Sequence, residues 1–314
     1  MSKKIHDVII IGGGIAAHTS AIYTARASLN PLIISSIEPD QLSLTNEVEN
    51  FPGFPKGVLG PELVKNAKEQ AKRFGAEYIE GLADSFKKND KYFEVGVEKN
   101  NYKARTVIIS TGASARRLNI EGEDKYFGRG VSTCATCDAA LFRDKEVLVV
   151  GGGDSAMEES LVLYKFAKKI TIVHRRDEFR ASKIMQDRVL KLKDKINVVW
   201  DSIPTEVLGE TLVNGIKIKN VKTNEESTIK CDGMFLAIGH NPNTKIFEKE
   251  IKLDKTGYII TGSRSKTNVE GVYAAGDCQD PIFRQAITSA GSGCKAAIEA
   301  ERYIEHLKAK GEYK

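Results

Sequence analysis

The sequence contains the same glycine-rich turn twice, each time between a short apolar run and a helical pattern. Residues 12–17 follow the run 7–11, and residues 151–156 follow the run 145–150. Both turns fit G-x-G-x-x-A, in which missing side chains let backbone N–H groups approach a pyrophosphate at a helix N-terminus. Two matches in this strand-turn-helix context predict two dinucleotide sites, whereas one alone could be an ordinary tight turn. The residues expected to contact the nucleotides are Gly12, Gly14 and Ala17 in the first turn, and Gly151, Gly153, Asp154 and Ser155 in the second.

The two turns are too far apart to be halves of one nucleotide-binding fold, so they predict two domains, which 314 residues can accommodate. A third strand-like run ends in Gly276-Asp277 and leads into a long helical pattern without a nucleotide turn of its own. The simplest arrangement returns this block to the first domain. We therefore predict an α/β fold of two Rossmann-like domains, with residues 113–243 inserted between residues 1–112 and 244–314.

Basic side chains follow the second turn at the end of the next predicted strand. His174, Arg175 and Arg176 end that strand, and Arg180 lies shortly beyond it. An acid at this position favours the bare ribose of NAD, whereas arginines favour the 2′-phosphate of NADP. These four residues predict NADPH binding. The alternative is a solvent-exposed basic helix start that binds no ligand.

The first turn leaves its nucleotide open between FAD and NAD. Its second strand ends in Ser35-Ser36, and Glu38 is the only acid nearby. Asp277, at the end of the third strand-like run, can accept hydrogen bonds from a sugar-alcohol chain, which favours FAD. A strand-end aspartate can equally cap the following helix, so this carboxylate does not decide alone.

Of five cysteines, Cys134 and Cys137 form a C-x-x-C pair just before the second turn. Zinc needs further ligands, and the remaining Cys and His residues stand singly in the sequence, so we predict no metal site. A redox disulfide needs only the pair, a lowered thiol pKa and a nearby proton donor or acceptor, which Asp138 supplies. We predict structural or surface roles for Cys231, Cys278, Cys294, His6, His18 and His306.

Charge and hydropathy exclude several other classes of protein. A formal net charge of +5 is too mild to indicate nucleic-acid binding, and the 28% of charged residues, with both signs interspersed, are typical of a folded chain. No apolar run approaches the roughly 18 to 20 residues that span a bilayer, and no secretory signal is recognisable. We expect a cytoplasmic protein with neither nucleic-acid nor membrane partners.

Together, these motifs resemble those of the low-molecular-weight thioredoxin reductases, flavoproteins without a separate dimerisation domain. The resemblance covers essentially the whole chain. It implies FAD on the discontinuous domain, NADPH on the inserted one, a homodimer, and thioredoxin or a thioredoxin-like protein as electron acceptor. Besides the turns, the cysteine pair and the basic cluster, the matching stretches are residues 47–53, 111–113, 239–243, 276–277 and 284–286.

The resemblance also implies residue roles. By this resemblance, hydride would pass from NADPH to the flavin, two electrons would pass to the disulfide, and the dithiol would reduce the partner by thiol–disulfide exchange. Cys137 would face the flavin, Cys134 would attack the partner, and Asp138 would act as acid or base. Because one domain carries both disulfide and NADPH, its rotation about hinges at 112–113 and 239–243 is implied. The further residues implied to contact FAD are Gln41, Asn50, Thr111, Gly112, Asp277, Arg284, Gln285 and Ala286.

Two positions depart from the family pattern. Asp40-Gln41-Leu42 replaces Gly-Gly-Gln-Leu, which shortens a flavin loop by one residue and adds a charge. Ala139 replaces a glycine after Asp138, a change that matters only if the backbone there needs positive φ, and we expect a minor effect.

Other functions fit part of the pattern. A reductase with another disulfide acceptor, or a dithiol oxidase using oxygen, would keep both cofactors and the cysteines. A non-catalytic flavin or nucleotide sensor would result if Asp40 disturbed flavin placement. Ferredoxin–NADP reductases have a similar architecture but lack the pair formed here by Cys134 and Cys137.

Overall fold

The computed structural model describes residues 4–37, 39–45 and 47–313, and the chain divides into two compact units. The first unit runs up to Ser114 and resumes at Asn241, and the second is Ala115–His240. The chain thus passes between the units twice, at Ser114–Ala115 and at His240–Asn241, and we call these points the two crossings. The inserted unit begins two residues after, and ends three residues before, the predicted limits of 113 and 243. At the second crossing the reason is a backbone bond, because the Asn243 N–H donates to the Gly112 carbonyl at 3.0 Å.

Both units contain strands and helices, with runs of consecutive strands in each. The helices of the described ranges are α1 (Ile15–Arg26), α2 (Gly60–Arg73), α3 (Ala135–Asp138), α4 (Asp154–Tyr164), α5 (Lys183–Leu190) and α6 (Ala286–Ala309). The strands are β1 (Ile5–Ile11), β2 (Pro31–Ser35), β3 (Glu47–Val48), β4 (Val58–Leu59), β5 (Glu77–Glu80), β6 (Ala83–Lys88), β7 (Phe93–Val97), β8 (Asn100–Ile109), β9 (Ala113–Ala115), β10 (Val131–Ser132), β11 (Glu146–Val150), β12 (Lys169–Val173), β13 (Ile196–Val199), β14 (Ser202–Gly209), β15 (Val213–Asn220), β16 (Glu226–Ile229), β17 (Gly233–Leu236), β18 (His240–Pro242) and β19 (Val272–Ala274). Short 3₁₀ turns cover Ala139–Phe142, Lys245–Phe247 and Gly276–Cys278.

The first unit is built on a sheet in the order β5-β2-β1-β8-β7-β6, with β19 also paired to β8. The pairings of β5, β2, β1, β8 and β19 are parallel, whereas β6 and β7 add an antiparallel extension. Strand β1 is apolar at successive positions because both sheet faces are covered: Ile9 enters one core and Ile10 the other. Helices α1 and α6 pack closely, since a Cβ at Gly293 would lie 2.3 Å from the Ala16 carbonyl oxygen.

The second unit repeats this plan with a five-stranded parallel sheet in the order β10-β17-β11-β12-β13. Val149 faces a core shared with α4, and Val150 faces a core shared with the antiparallel sheet β14-β15-β16. The predicted α/β class with two Rossmann-like units is thereby confirmed. Smaller two-stranded sheets pair β3 with β4 and β9 with β18. No helix in the described part of the chain is long and apolar enough to cross a membrane.

Candidate functional site

The first nucleotide turn has a backbone that requires glycine. Gly12 has φ +138°, and a Cβ there would lie 2.1 Å from the Ser110 carbonyl oxygen. Gly14 is the N-cap of α1 and forms no side-chain cap hydrogen bond, and the first turn of α1 carries no acidic residue. Ala17 is fully buried, so the helix packs closely beneath the turn. The first N–H groups of α1 therefore suit the pyrophosphate of a dinucleotide.

Asp277 offers a carboxylate on the same unit. It accepts a hydrogen bond at 2.9 Å from the Ser289 hydroxyl, which belongs to α6. Burial, with a smaller contribution from Asp280, raises the pKa of Asp277 to about 6, against opposing effects of Ser289 and Arg284. The group is thus mainly ionised at neutral pH and can accept further hydrogen bonds from ligand hydroxyls.

The remaining residues predicted to contact FAD also lie on the first unit. The Asn50 amide donates to the Gln285 side-chain oxygen at 3.3 Å, although 235 residues separate them in sequence. Gln285 is the N-cap of α6, and Ala286 is the first residue of that helix. Arg284 has φ +50°, a left-handed conformation that non-glycine residues seldom adopt.

Thr111 joins the two chain segments of this unit beside the predicted flavin contact Gly112. Its hydroxyl donates to the Asn243 carbonyl at 2.7 Å. Gly112 has φ +69°, with no neighbouring atom within 4 Å of a Cβ built there. The backbone at this point is therefore both left-handed and uncrowded.

Asp40, the charge that departs from the family pattern, organises its own turn. Its carboxylate accepts the N–H groups of Leu42 and Ser43 at 3.0 and 3.2 Å, and the Ser43 hydroxyl at 2.6 Å. Such side-chain bonds order a turn that a glycine pair would leave flexible. Gln41 is exposed in this turn. Glu38, the acid noted near the end of β2, lies outside the described residues.

The second nucleotide turn has the same design as the first. Gly151 has φ +151°, and a Cβ there would lie 2.4 Å from the Ala237 carbonyl oxygen. Gly153 is the N-cap of α4 without a side-chain cap bond, and Ser155 lies in the first turn of that helix. The Asp154 carboxylate is engaged by Ser182, whose N–H and hydroxyl both donate to it at 2.8 Å. Asp154 thus anchors the segment that leads from the basic cluster into α5.

The predicted 2′-phosphate cluster separates into exposed and buried members. Arg175, Arg176 and Arg180 are exposed, whereas His174 is only 4% exposed. A Cβ at Gly152 would lie 2.2 Å from the imidazole, so the ring packs directly beneath the second nucleotide turn. The arginines are therefore available to an anion in solution, while His174 supports the turn.

The buried His174 ring retains one polar atom that a ligand could satisfy. Burial, together with repulsion from the three arginines, lowers its pKa, which keeps the imidazole neutral near pH 7. Within the described ranges its Nε2 has no hydrogen-bond partner. An orphaned buried nitrogen beside a glycine turn fits a site that is completed by a bound nucleotide.

Cys134 and Cys137 are joined in a disulfide, with their Cα atoms 5.3 Å apart, and both are partly exposed. Cys134 is the N-cap of α3, and the Cys137 N–H donates to its sulfur at 3.2 Å. After reduction, a hydrogen bond of this kind would stabilise negative charge on the Cys134 sulfur.

A serine that the sequence analysis did not single out joins the cysteine pair to its acid. The Ser132 hydroxyl donates to Asp138 at 2.6 Å and accepts the Cys134 N–H at 3.1 Å. Burial raises the pKa of Asp138, and the Ser132 hydroxyl acts in the opposite direction. No spacing rule marks Ser132, because the contact arises only once α3 turns Asp138 back towards β10.

The departure at Ala139 should have little effect on turnover. Ala139 has φ −57°, an ordinary helical value that does not require glycine. We expect Ala139→Gly to leave thiol–disulfide turnover within about twofold of wild type and to reduce the free energy of unfolding by about 0.5–1 kcal/mol, because glycine loses more backbone entropy. Steady-state kinetics and urea unfolding measure both quantities. A large gain in turnover would show that the family glycine has a conformational role here.

The three single cysteines and His18 differ in how far they are buried. Burial raises the pKa of Cys231 and of Cys278 to about 12, so both thiols are inert, whereas Cys294 is partly exposed. His18 contacts the Tyr78 hydroxyl at 3.0 Å, and burial lowers its pKa to about 4. Among residues 4–37, 39–45 and 47–313, no group of three or more Cys, His, Asp or Glu side chains could hold a metal ion.

Comparison with known proteins gives concordant matches. Residues 6–293 match the family described as pyridine nucleotide-disulphide oxidoreductase. A thioredoxin reductase of Rickettsia felis is 49% identical over 308 residues, covering 96% of this chain and 99% of that protein. A bifunctional thioredoxin reductase/thioredoxin of Mycobacterium leprae is 47% identical over 312 residues, covering 98% of this chain and 68% of that protein. The crystal structure of thioredoxin reductase from Streptococcus pyogenes MGAS5005 matches with TM-score 0.93 and 41% identity, over 97% of this chain and 100% of that chain.

Proposed function

Because the chain belongs to the pyridine nucleotide-disulphide oxidoreductase family, and within it to the thioredoxin reductases, we propose that it is an NADPH-dependent thioredoxin-disulfide reductase. The observation that carries the proposal is the Cys134–Cys137 disulfide, with Asp138 beside it, on the unit that also holds the second nucleotide turn. A ferredoxin–NADP reductase of similar architecture would lack this pair.

FAD would bind to the first unit and NADPH to the second. Support for this assignment comes from the glycine turns at Gly12 and Gly151, the ionised Asp277, and the orphaned Nε2 of His174. Arg175 and its arginine neighbours supply the permanent positive charge that a 2′-phosphate needs. When bound, the two cofactors provide the two-electron chemistry that converts the disulfide into two thiols.

The residues of the chain then perform thiol–disulfide exchange. The Cys134 thiolate attacks one sulfur of the partner disulfide, which forms a mixed disulfide and releases the other partner sulfur as a thiolate. Asp138, which has taken up the proton of the Cys134 thiol, gives a proton to that thiolate. Cys137 then attacks the Cys134 sulfur, which restores the internal disulfide and releases the second partner sulfur, and the proton of the Cys137 thiol passes to that sulfur. Two electrons and two protons have passed from the enzyme dithiol to the partner.

The two chain crossings are the proposed hinges for presenting first the nicotinamide and then the disulfide to the flavin. Gly112 and Gly239 have φ +69° and +97°, so each crossing contains a residue that can absorb a backbone change. Substituting Gly239→Ala adds a strained left-handed residue, and we expect turnover to fall about three- to tenfold. Stopped-flow kinetics should show that the rate of electron transfer from the flavin to the disulfide, which requires the rotation, is lowered. The affinity for NADPH should be unchanged.

Gly75→Ala provides the matched control for this substitution, since Gly75 also has positive φ, at +94°, and no neighbouring atom lies within 4 Å of a Cβ built there. Gly75 lies in a turn of the first unit, away from both crossings. We expect Gly75→Ala to lower stability without slowing turnover. Equal effects of the two substitutions on turnover would contradict the hinge assignment.

The acceptor is tested by steady-state oxidation of NADPH with a panel of oxidised thioredoxins, a peroxiredoxin-type protein, a small disulfide and oxygen. We expect the highest kcat/KM with a thioredoxin. The Mycobacterium leprae relative supports this choice, because it is named a bifunctional thioredoxin reductase/thioredoxin. A preference for oxygen would instead identify a dithiol oxidase, and a preference for another disulfide would identify a different reductase.

Colour distinguishes the enzyme from a non-catalytic sensor. The purified protein should be yellow and should bleach when NADPH is added anaerobically. A preparation that stays colourless after FAD is added would favour the sensor and would implicate the Asp40 turn. The homodimer and the cytoplasmic location remain predictions, to be tested by sedimentation and by cell fractionation.

A further inference from the structure

Ser132 has the geometry of a positioning residue for the acid beside the cysteine pair. It ends β10, the edge strand of the parallel sheet, and is only 6% exposed. Helix α3 begins three residues later and is a single turn long, so that the Asp138 N–H donates to the Cys134 carbonyl at 3.1 Å. This turn brings the Asp138 carboxyl group back to the end of β10.

The Ser132 hydroxyl has two acceptors and one donor around it. It lies 2.6 Å from Asp138 Oδ2 and 3.5 Å from the Cys134 carbonyl oxygen, and it receives the Cys134 N–H at 3.1 Å. A hydroxyl carries one proton and two lone pairs. If its proton turns from Asp138 to the Cys134 carbonyl, a lone pair becomes available to accept the proton of a neutral carboxyl group.

We propose that Ser132 holds the Asp138 carboxyl group in one orientation in both of its protonation states. When Asp138 is ionised, the hydroxyl donates to it. When Asp138 is protonated, its O–H donates to Ser132, and the hydroxyl proton turns to the Cys134 carbonyl. The inference rests on the proposed function, because it takes Asp138 as the proton donor in thiol–disulfide exchange.

The proton balance is that of a single exchange. The thiols of Cys134 and Cys137 become a disulfide, the partner disulfide becomes two thiols, and two protons cross, one of them through Asp138. After each transfer Asp138 must recover a proton from the enzyme thiols. Because Ser132 can hydrogen-bond to Asp138 in both protonation states, the acid does not have to reorient between these steps.

Few groups other than the Ser132 hydroxyl influence the pKa of Asp138. Burial and Ser132 are the two influences on its pKa. Besides β10, which carries Ser132 and has no ionisable residue, the elements that pack most extensively against α3 are α4 and the 3₁₀ turn Ala139–Phe142, and that turn has no ionisable side chain. The ionisable residues of α4, which do not contribute to the shift, are Asp154, Glu158, Glu159 and Tyr164. Removing the hydroxyl therefore removes the influence that lowers the pKa, which then rises further.

The test compares Ser132→Ala with Ser132→Thr in the FAD-loaded enzyme. We expect Ser132→Ala to lower kcat with oxidised thioredoxin about tenfold, a fraction of a full acid–base contribution, and to move the inflection of the pH–kcat profile to higher pH. Ser132→Thr keeps the hydroxyl and should return both quantities close to wild type. Anaerobic reduction of the flavin by NADPH should be the same in all three proteins.

Ser202→Ala is the matched control, because Ser202 is also buried in the second unit and donates to the Trp200 carbonyl at 2.8 Å. It should leave the inflection unchanged, so a shift common to both alanine variants would be a nonspecific effect of losing a buried hydroxyl and would overturn the proposal. If Ser132→Ala is too unstable to assay, the isosteric pair Ser132→Val and Ser132→Thr makes the same comparison.

Asp138→Asn separates failure of this inference from failure of the proposed function. Wild-type turnover and pH dependence in Asp138→Asn would remove Asp138 from the mechanism. A loss of about 10²-fold in Asp138→Asn, combined with a wild-type rate and inflection in Ser132→Ala, would leave the acid in place and overturn the role of Ser132.

Discussion

Replacing Cys134 with serine is expected to abolish thioredoxin reduction while leaving the flavin reducible by NADPH. The serine hydroxyl is not ionised at neutral pH and cannot form a mixed disulfide, so exchange has no nucleophile. We expect kcat to fall about 10³-fold or more, as when a catalytic nucleophile is removed elsewhere. Anaerobic titration measures the second readout: the reductant that wild type takes up for its disulfide should be missing in Cys134→Ser.

Cys294→Ser is the matched control for this substitution, because Cys294 is partly exposed and free in the oxidised protein. It should retain full turnover and the wild-type titration. Thioredoxin reduction by Cys134→Ser at a rate near wild type would remove Cys134 from the electron path. Loss of NADPH-dependent flavin reduction in that variant would show instead that the substitution disturbs the nucleotide sites.

The double substitution Arg175→Ala, Arg176→Ala is expected to remove the preference for NADPH over NADH. Each lost contact between a guanidinium and a doubly charged phosphate costs about 1–3 kcal/mol. For two contacts, kcat/KM with NADPH should fall roughly 30-fold to 10⁴-fold, whereas the value with NADH, which has no 2′-phosphate, should stay within about twofold. Both values come from steady-state kinetics at fixed ionic strength, since salt screens exposed charges.

Arg188→Ala controls for a general loss of positive charge, because Arg188 is an exposed arginine in the last turn of α5 on the same unit. It should change neither nucleotide's kcat/KM appreciably. Equal losses for NADPH and NADH in the double variant would contradict recognition of the 2′-phosphate. In that case the arginines would act only through the long-range field of the unit.

The glycine turns show how far local sequence can predict structure. Gly12 and Gly151 both adopt left-handed backbone with no room for a Cβ, as the G-x-G-x-x-A pattern requires. The backbone geometry of these turns could be predicted because strand, turn and helix are contiguous in the chain, and the physical demand for close approach falls on the turn itself. The cysteine pair was equally readable, since C-x-x-C places both sulfurs within one turn.

The basic cluster shows where such reasoning stops. Sequence placed His174 and its arginine neighbours together at one strand end, and they do lie there. Their environments differ, because the imidazole packs beneath Gly152 while Arg175, Arg176 and Arg180 remain exposed. Strand position can be inferred from periodicity, but burial depends on what the rest of the chain places above each side chain.

The amino-acid sequence by itself determined the two nucleotide turns, the cysteine pair with its acid, and the insertion of the second unit between two segments of the first. These features depend on residues that are neighbours in the chain, so short-range spacing is enough to reveal them. Tertiary structure decided the contact of Asn50 with Gln285, the ordering of the Asp40 turn, and the link from Ser132 to Asp138. Those contacts depend on hydrogen-bond distances and directions, which arise only when strands and helices have packed.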